Sequence, residues 1–141
     1  MLPSHSEIKD PDLYPDDFED RIVTLVRRAR FERRVVLLSF SKQSVQRVKK
    51  SDLSIRTALL EAYSRKDVVS ETRSVGADEL AIRYNLLNPV ILRTAQAEGM
   101  RVVVWTVNGR NAIRKTIALG PDGIISNYPD RVIHLLEEVH R

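Results

Sequence analysis

The chain has 141 residues, of which 43% are hydrophobic and 30% charged, with a net charge of +4 and no cysteine. That length supports one domain with its own core, and the lack of cysteine excludes disulfides and thiolate metal sites. No apolar run approaches the ~20 residues of a membrane-spanning helix, and the N-terminus lacks the basic and apolar regions of a signal peptide, so the cytoplasm is the default expectation.

In chain order, Ser6–Lys9 reads as the end of a short strand around Ile8, followed by an acidic, proline-containing loop over Asp10–Asp17. Phe18–Arg30 reads as a helix with Ile22, Val23, Leu25, Val26 and Ala29 on one face. Asp16, Asp17, Glu19 and Asp20 stand where acids favour a helix start. Arg27, Arg28, Arg30, Arg33 and Arg34 crowd its far end, and Arg47, Lys49 and Lys50 follow. Such a cluster suits an anionic partner or simply a solvated helix end, where cations complement the helix dipole. No nucleic-acid motif accompanies it, so nucleic acid is not expected as a partner.

Val35–Phe40 reads as a buried strand and Ser41–Lys50 as a short helix. Thr57–Glu61 is a weaker strand, and residues 64–78, polar and without a period, read as a loop with a short helical turn. Glu79–Arg83 gives another strand. Asn88-Pro89 caps and opens a helix that runs to Glu98 and closes at Gly99. Val102–Val104 form a strand buried on both faces, Arg110–Leu119 a helix closed by Gly120, and Ile124 and Ile125 the core of a last strand. A final helix starts at Pro129 and carries Val132, Ile133, Leu135, Leu136 and Val139.

About six strands alternating with helices read as a doubly wound sheet or as part of a (β/α)8 barrel. A full barrel takes about 250 residues and seldom fewer than about 200, so this chain is too short to close one by itself.

In parallel α/β folds, ligands bind at the carboxyl ends of the strands. Alternation puts Glu7 and Lys9 on one face and Ile8 on the other. The pair could bind a hard cation and a phosphate oxygen together, or form a surface ion pair. The Ser39 hydroxyl could bond a phosphate or cap the next helix. Trp105, the only tryptophan, suits the core or a pocket wall with its N–H as a donor. Asn108 caps the next helix or faces a ligand, and Gly120 and Gly123 serve a turn. His5, His134 and His140 make no metal or nucleophile constellation and read as structural or exposed.

Four segments in order resemble the glycerophosphodiester phosphodiesterase family. Glu7-Ile-Lys9 is similar to its Glu-x-Lys strand, and Val35-Val-Leu-Leu-Ser-Phe40 to its apolar strand ending in Ser-Phe. The segment from Ala95 through Gly99 to Trp105-Thr-Val-Asn108 is similar to its Ala-x-x-x-Gly and Trp-Thr-Val-Asn elements. Leu119-Gly-Pro-Asp-Gly-Ile-Ile-Ser-Asn-Tyr-Pro129 is similar to its closing Gly-x-Asp-Gly-Ile-Ile-Thr-Asp-x-Pro. The resemblance implies a TIM barrel of the phospholipase-C-like kind. It also implies hydrolysis of glycerophosphodiesters in lipid metabolism, usually with calcium or magnesium. On that basis Glu7 is a metal ligand, Lys9 is a phosphate contact, and Trp105 lines the glycerol pocket; Ser39 is a candidate phosphate contact from its own place at a strand end.

The family's His-Arg-Gly strand, Glu-x-Asp strand and His-Asp turn have no counterpart here, and Ser126-Asn127 stands where Thr-Asp is usual. The expectation is therefore a single incomplete domain over residues 1–141, matching the later six of eight strands, with no catalytic residue assigned. Hydrolysis by this chain alone is not expected, because diester cleavage needs groups placed to take and give protons. The alternative is a non-catalytic remnant that binds phosphate or a partner, either a second copy or a complementary half-barrel.

Overall fold

The computed structural model describes residues 3–64 and 66–139. Six strands alternate with six helices: β1 (Ser4–Glu7), α1 (Phe18–Arg28), β2 (Val35–Ser39), α2 (Lys42–Ser51), β3 (Arg56–Glu61), α3 (Val68–Ser74), β4 (Glu79–Arg83), α4 (Pro89–Ala97), β5 (Arg101–Trp105), α5 (Arg110–Leu119), β6 (Gly123–Ile124) and α6 (Pro129–Val139). All neighbouring strands are parallel, and their order in the sheet is their order in the chain. Right-handed crossovers that never reverse direction must leave every helix on the same face. Val35, Leu37, Leu59, Leu80, Ile82, Val102 and Val104 pack there under helix residues such as Val23, Val45, Val48, Leu92, Ile113 and Leu135. This winding is that of a (β/α)8 barrel and rules out the doubly wound sheet.

Among the described residues the other face carries no helix. Val36, Leu38, Ala58, Leu60, Ala81 and Val103 form a separate cluster there, with Trp105 and Ile125 against it. They are nonetheless buried, because the sheet curls. His5 Nε2 on β1 lies 2.9 Å from Glu79 Oε2 on β4, and the Phe40 and Trp105 rings, at the ends of β2 and β5, meet edge to face at 5.7 Å. Each contact spans three strand spacings. In a flat sheet that is about 14 Å, farther than either pair of side chains reaches. The register also brings Gly123 against Val103, where an added Cβ would sit 2.8 Å from Val103 Cγ1.

Several boundaries differ from the sequence reading. β1 begins at Ser4, so Ile8 and Lys9 lie beyond the strand, although the Ile8 N–H still donates to Leu38 O. The Ser-His-Ser-Glu run, exposed except for half-buried His5, carries no apolar pattern, and its pairing with β2 decides the register. A short 3-10 turn interrupts the acidic loop at Pro11–Leu13. Residues 64–78 hold a two-turn helix, α3, seated by buried Val68, Val69 and Thr72. Glu19 is not merely an acid at a helix start: it is buried, accepts the Ser44 hydroxyl at 2.7 Å and faces Arg47 at 3.6 Å.

At the amino ends of the strands Glu79 is fully buried on the inner face, with Arg56 Nη1 at 3.7 Å and Arg101 Nε at 3.4 Å besides His5. A buried carboxylate is tolerated only when paired. Glu79→Ala should therefore lower stability by ~2 kcal/mol, the order of a charged hydrogen bond. Glu79→Gln, which keeps an acceptor for His5, should cost less. Urea unfolding of the two variants checks the order.

Asp52 ties α2 to α1. Its carboxyl falls from 3.8 to about 2 because it accepts the Ser54 hydroxyl, then Arg27 Nε, then the Ser54 N–H. A lowered folded-state value means that the unfolded chain binds the proton more readily. The resulting stability is complete above 3.8 and lost as pH falls toward about 2. Asp52→Asn should thus be less stable than the native chain at neutral pH, with the gap closing across that window. Denaturant midpoints against pH provide the check.

Candidate active-site mouth

The carboxyl ends of the strands converge at one end of the curled sheet. β1 delivers Glu7, and Lys9 follows two residues later. Both are exposed, and neither forms an ion pair among the described residues. The partner register places Glu7 level with Leu38 on the inner face. β4 delivers Arg83, exposed and paired in register with Trp105. Sequence reasoning gave Arg83 no role, yet the alternation Glu79, Ala81, Arg83 places it on the inner face. That signal was available.

Ser39 does not present a free hydroxyl. Its side chain is buried, donates to Ile8 O at 2.9 Å and accepts the Ser41 N–H at 3.1 Å. Through these two bonds it fixes the Ile8–Lys9 segment beside the start of α2. The helix cap is Ser41, which accepts the Ser44 N–H. Trp105 likewise has its N–H engaged, donating to Ala81 O at 2.8 Å, so the indole offers its edge and face rather than a donor. Phe40, half exposed, stands against it, and a recess of roughly 140 Å³ runs from Phe40 past Lys42 and Glu61 to Tyr63.

Asn108 neither caps α5 nor stands open. Its Oδ1 accepts the Ser126 hydroxyl and the Asn127 N–H, and its carbonyl accepts Arg131 Nη1 at 2.6 Å. The last two loops of the mouth are thereby locked together, with Arg131 over the Tyr128 ring at 4.4 Å. His5 is held at the opposite end of the inner face by Glu79, and His134 pairs with Glu138 on α6. His140 lies outside the described residues.

The sequence profile of the glycerophosphoryl diester phosphodiesterase family matches residues 1–131. The chain belongs to this family. A glycerophosphodiester phosphodiesterase of Caldanaerobacter subterraneus is 26% identical over 126 residues, 89% of this chain and 51% of the relative. A crystal structure assigned to the family, from Silicibacter pomeroyi, superposes with a TM-score of 0.88 at 25% identity over 96% of this chain and 50% of its own. An Oleispira antarctica phosphodiesterase, solved in complex with the product sn-glycerol-3-phosphate, shares the fold with a TM-score of 0.72 at 14% identity, covering 87% of this chain and 52% of that one. The chain thus spans about half the length of the relatives it matches.

The resemblance implies a divalent cation, and the residues here do not fit one by themselves. Calcium and magnesium take six or more oxygen ligands. Among the described residues no three His, Cys, Asp or Glu groups stand together to hold a metal. Glu61, the carboxylate on β3, turns back to accept the Tyr63 N–H. Among the described residues Glu7 is the strand-end carboxylate without a partner at the mouth, where Lys9 and Arg83 supply cations.

Proposed function

We propose that this chain forms the glycerol-phosphate-binding part of a glycerophosphodiester phosphodiesterase domain, a phosphoric diester hydrolase of glycerophospholipid metabolism, and does not hydrolyse the diester alone. The observation that carries this reading is the position of Glu7, Arg83 and Trp105 at the carboxyl ends of parallel strands, with Lys9 just beyond the first, in a chain of this family. Lys9 and Arg83 supply donors suited to phosphate oxygens, and the Trp105 and Phe40 rings supply an apolar wall for a glycerol backbone. Ser39 contributes by holding the Lys9 segment. Glu7 would be one ligand of a cation completed elsewhere.

The engaged histidines favour the second reading, a non-catalytic remnant that binds phosphate or docks on a partner. His5 and His134 both lie away from the mouth, so neither stands where a proton must move. Both readings predict that the isolated chain releases no glycerol 3-phosphate from glycerophosphocholine or glycerophosphoethanolamine, with calcium or magnesium present. Metal-dependent turnover abolished by Glu7→Ala would show that another base substitutes. Binding is the sharper measure: in calorimetry Lys9→Ala should weaken sn-glycerol 3-phosphate about tenfold, the value of one charged hydrogen bond, and Arg33→Ala should not. The reverse order would place the anion site at the basic junction.

The partners follow from the edges. Among the described residues β1 and β6 each lack a neighbour on one side, and unpaired strand edges template association. The purified chain is expected to self-associate or to capture a complementary half-barrel, as seen by light scattering. A monomer with one cooperative melt would argue that the curl alone protects the edges.

A further inference from the structure

The end of the molecule opposite the mouth has its own surface. Arg28, Arg30, Arg33 and Arg34 fall within seven residues at the end of α1 and the entry to β2. None has an acidic partner among the described residues. The helix dipole accounts for arginines in the last turn of α1, but not for Arg33 and Arg34 beyond it.

Arg30 is the informative member. Its backbone is left-handed, φ 54°. Its N–H donates to Arg27 O and that of Phe31 to Val26 O, closing α1 in the pattern that ordinarily recruits glycine. α3, α4 and α5 each close at a glycine of positive φ: Gly76, Gly99 and Gly120. α1 alone among these puts a long cationic side chain there, against the steric preference of an L-residue.

Large apolar side chains stand among the arginines. Leu53 is 82% exposed, Leu25 64% and Phe31 37%. Arg27 brings the first of these to α1: its Nε donates to Asp52 Oδ2 at 2.6 Å and its Nη2 to Ser51 O at 3.1 Å, which sets the turn carrying Leu53 beside the end of the helix. Asp52 balances Arg27; Glu32, in the same segment, forms no ion pair among the described residues, so Arg28, Arg30, Arg33 and Arg34 keep a net positive charge.

We propose that this end docks on an anionic lipid surface, with Arg28, Arg30, Arg33 and Arg34 over the head groups and Leu25, Phe31 and Leu53 at the acyl boundary. Exposed apolar side chains set among arginines match a surface that is charged outside and apolar just beneath. A nucleic acid would offer phosphates but nothing for Leu25 and Leu53. The chain's tyrosines and its tryptophan, the natural platforms for bases, lie in the loops and strand end on the mouth side. Docked this way, the molecule turns its mouth to the water. Its ligand would then arrive as a soluble, deacylated glycerol phosphate derivative rather than as a lipid still held in the bilayer.

Flotation of the full chain with phosphatidylcholine vesicles, with and without phosphatidylglycerol, tests this. Binding should require phosphatidylglycerol and be released by salt. Arg30→Gly and Arg33→Gln should each weaken it about fivefold, the contribution of one cation near an anionic surface. Arg30→Gly should also melt no lower than the native chain, since glycine relieves the left-handed backbone, which separates lost docking from lost folding. Leu53→Ser should weaken binding at low salt, where the native chain is bound. Native-like binding by Arg30→Gly and Arg33→Gln, no binding to either vesicle, or tighter binding to duplex DNA or single-stranded RNA would each overturn the proposal.

Discussion

The curl of the sheet is the constraint on which the rest depends. Two contacts across its inner face define it: the His5–Glu79 hydrogen bond near the amino ends of the strands and the Phe40–Trp105 contact near the carboxyl ends. Between them the inner face is filled by Val36, Leu38, Leu60 and Val103, with Ala58 and Ala81 among them and Gly123 paired beside Val103. The curl explains why Val36 and Val103 are buried although no helix covers them. It also sets β1, which ends at Glu7, across the inner face from β4, which ends at Arg83.

The two ends of the strands divide the work. At the amino ends polar groups are spent on one another. The Asp78 carboxylate accepts the Thr57 N–H and pairs with Lys49, that of Asp122 accepts the Val102 N–H, and Glu79 gathers two arginines and a histidine. At the carboxyl ends Glu7, Lys9 and Arg83 stay solvated while Ser39 and Asn108 do the bracing. That asymmetry is the usual one in barrels, where one end stabilises and the other binds.

Much of the architecture was legible where local chemistry is self-sufficient. The Asn88-Pro89 helix start, the Gly99 and Gly120 stops and the Val102–Val104 strand all stand as read, because each rests on residues adjacent in the chain. β1 was misplaced because an exposed edge strand needs no apolar pattern. α3 was underread because its seat, Val68, Val69 and Thr72, is too short to show a period. The roles of Glu19 and Glu79 were hidden for another reason: their hydrogen-bond partners lie 25 and 74 residues away. At the mouth, Glu7 and Trp105 were visible through motif resemblance. The engagement of the Ser39 hydroxyl and the Trp105 N–H was not, since both partners are backbone carbonyls on other strands or loops.

Trp105 has a consequence beyond the mouth. It is the chain's single tryptophan, and its indole is fixed by a bond to β4 and by the ring at the end of β2. Its emission is therefore a built-in optical gauge of how tightly the strands wrap. Far-ultraviolet circular dichroism, dominated by the outer helices, follows a different part of the molecule. Any divergence between the two signals would distinguish a sheet that relaxes open from a protein that unfolds.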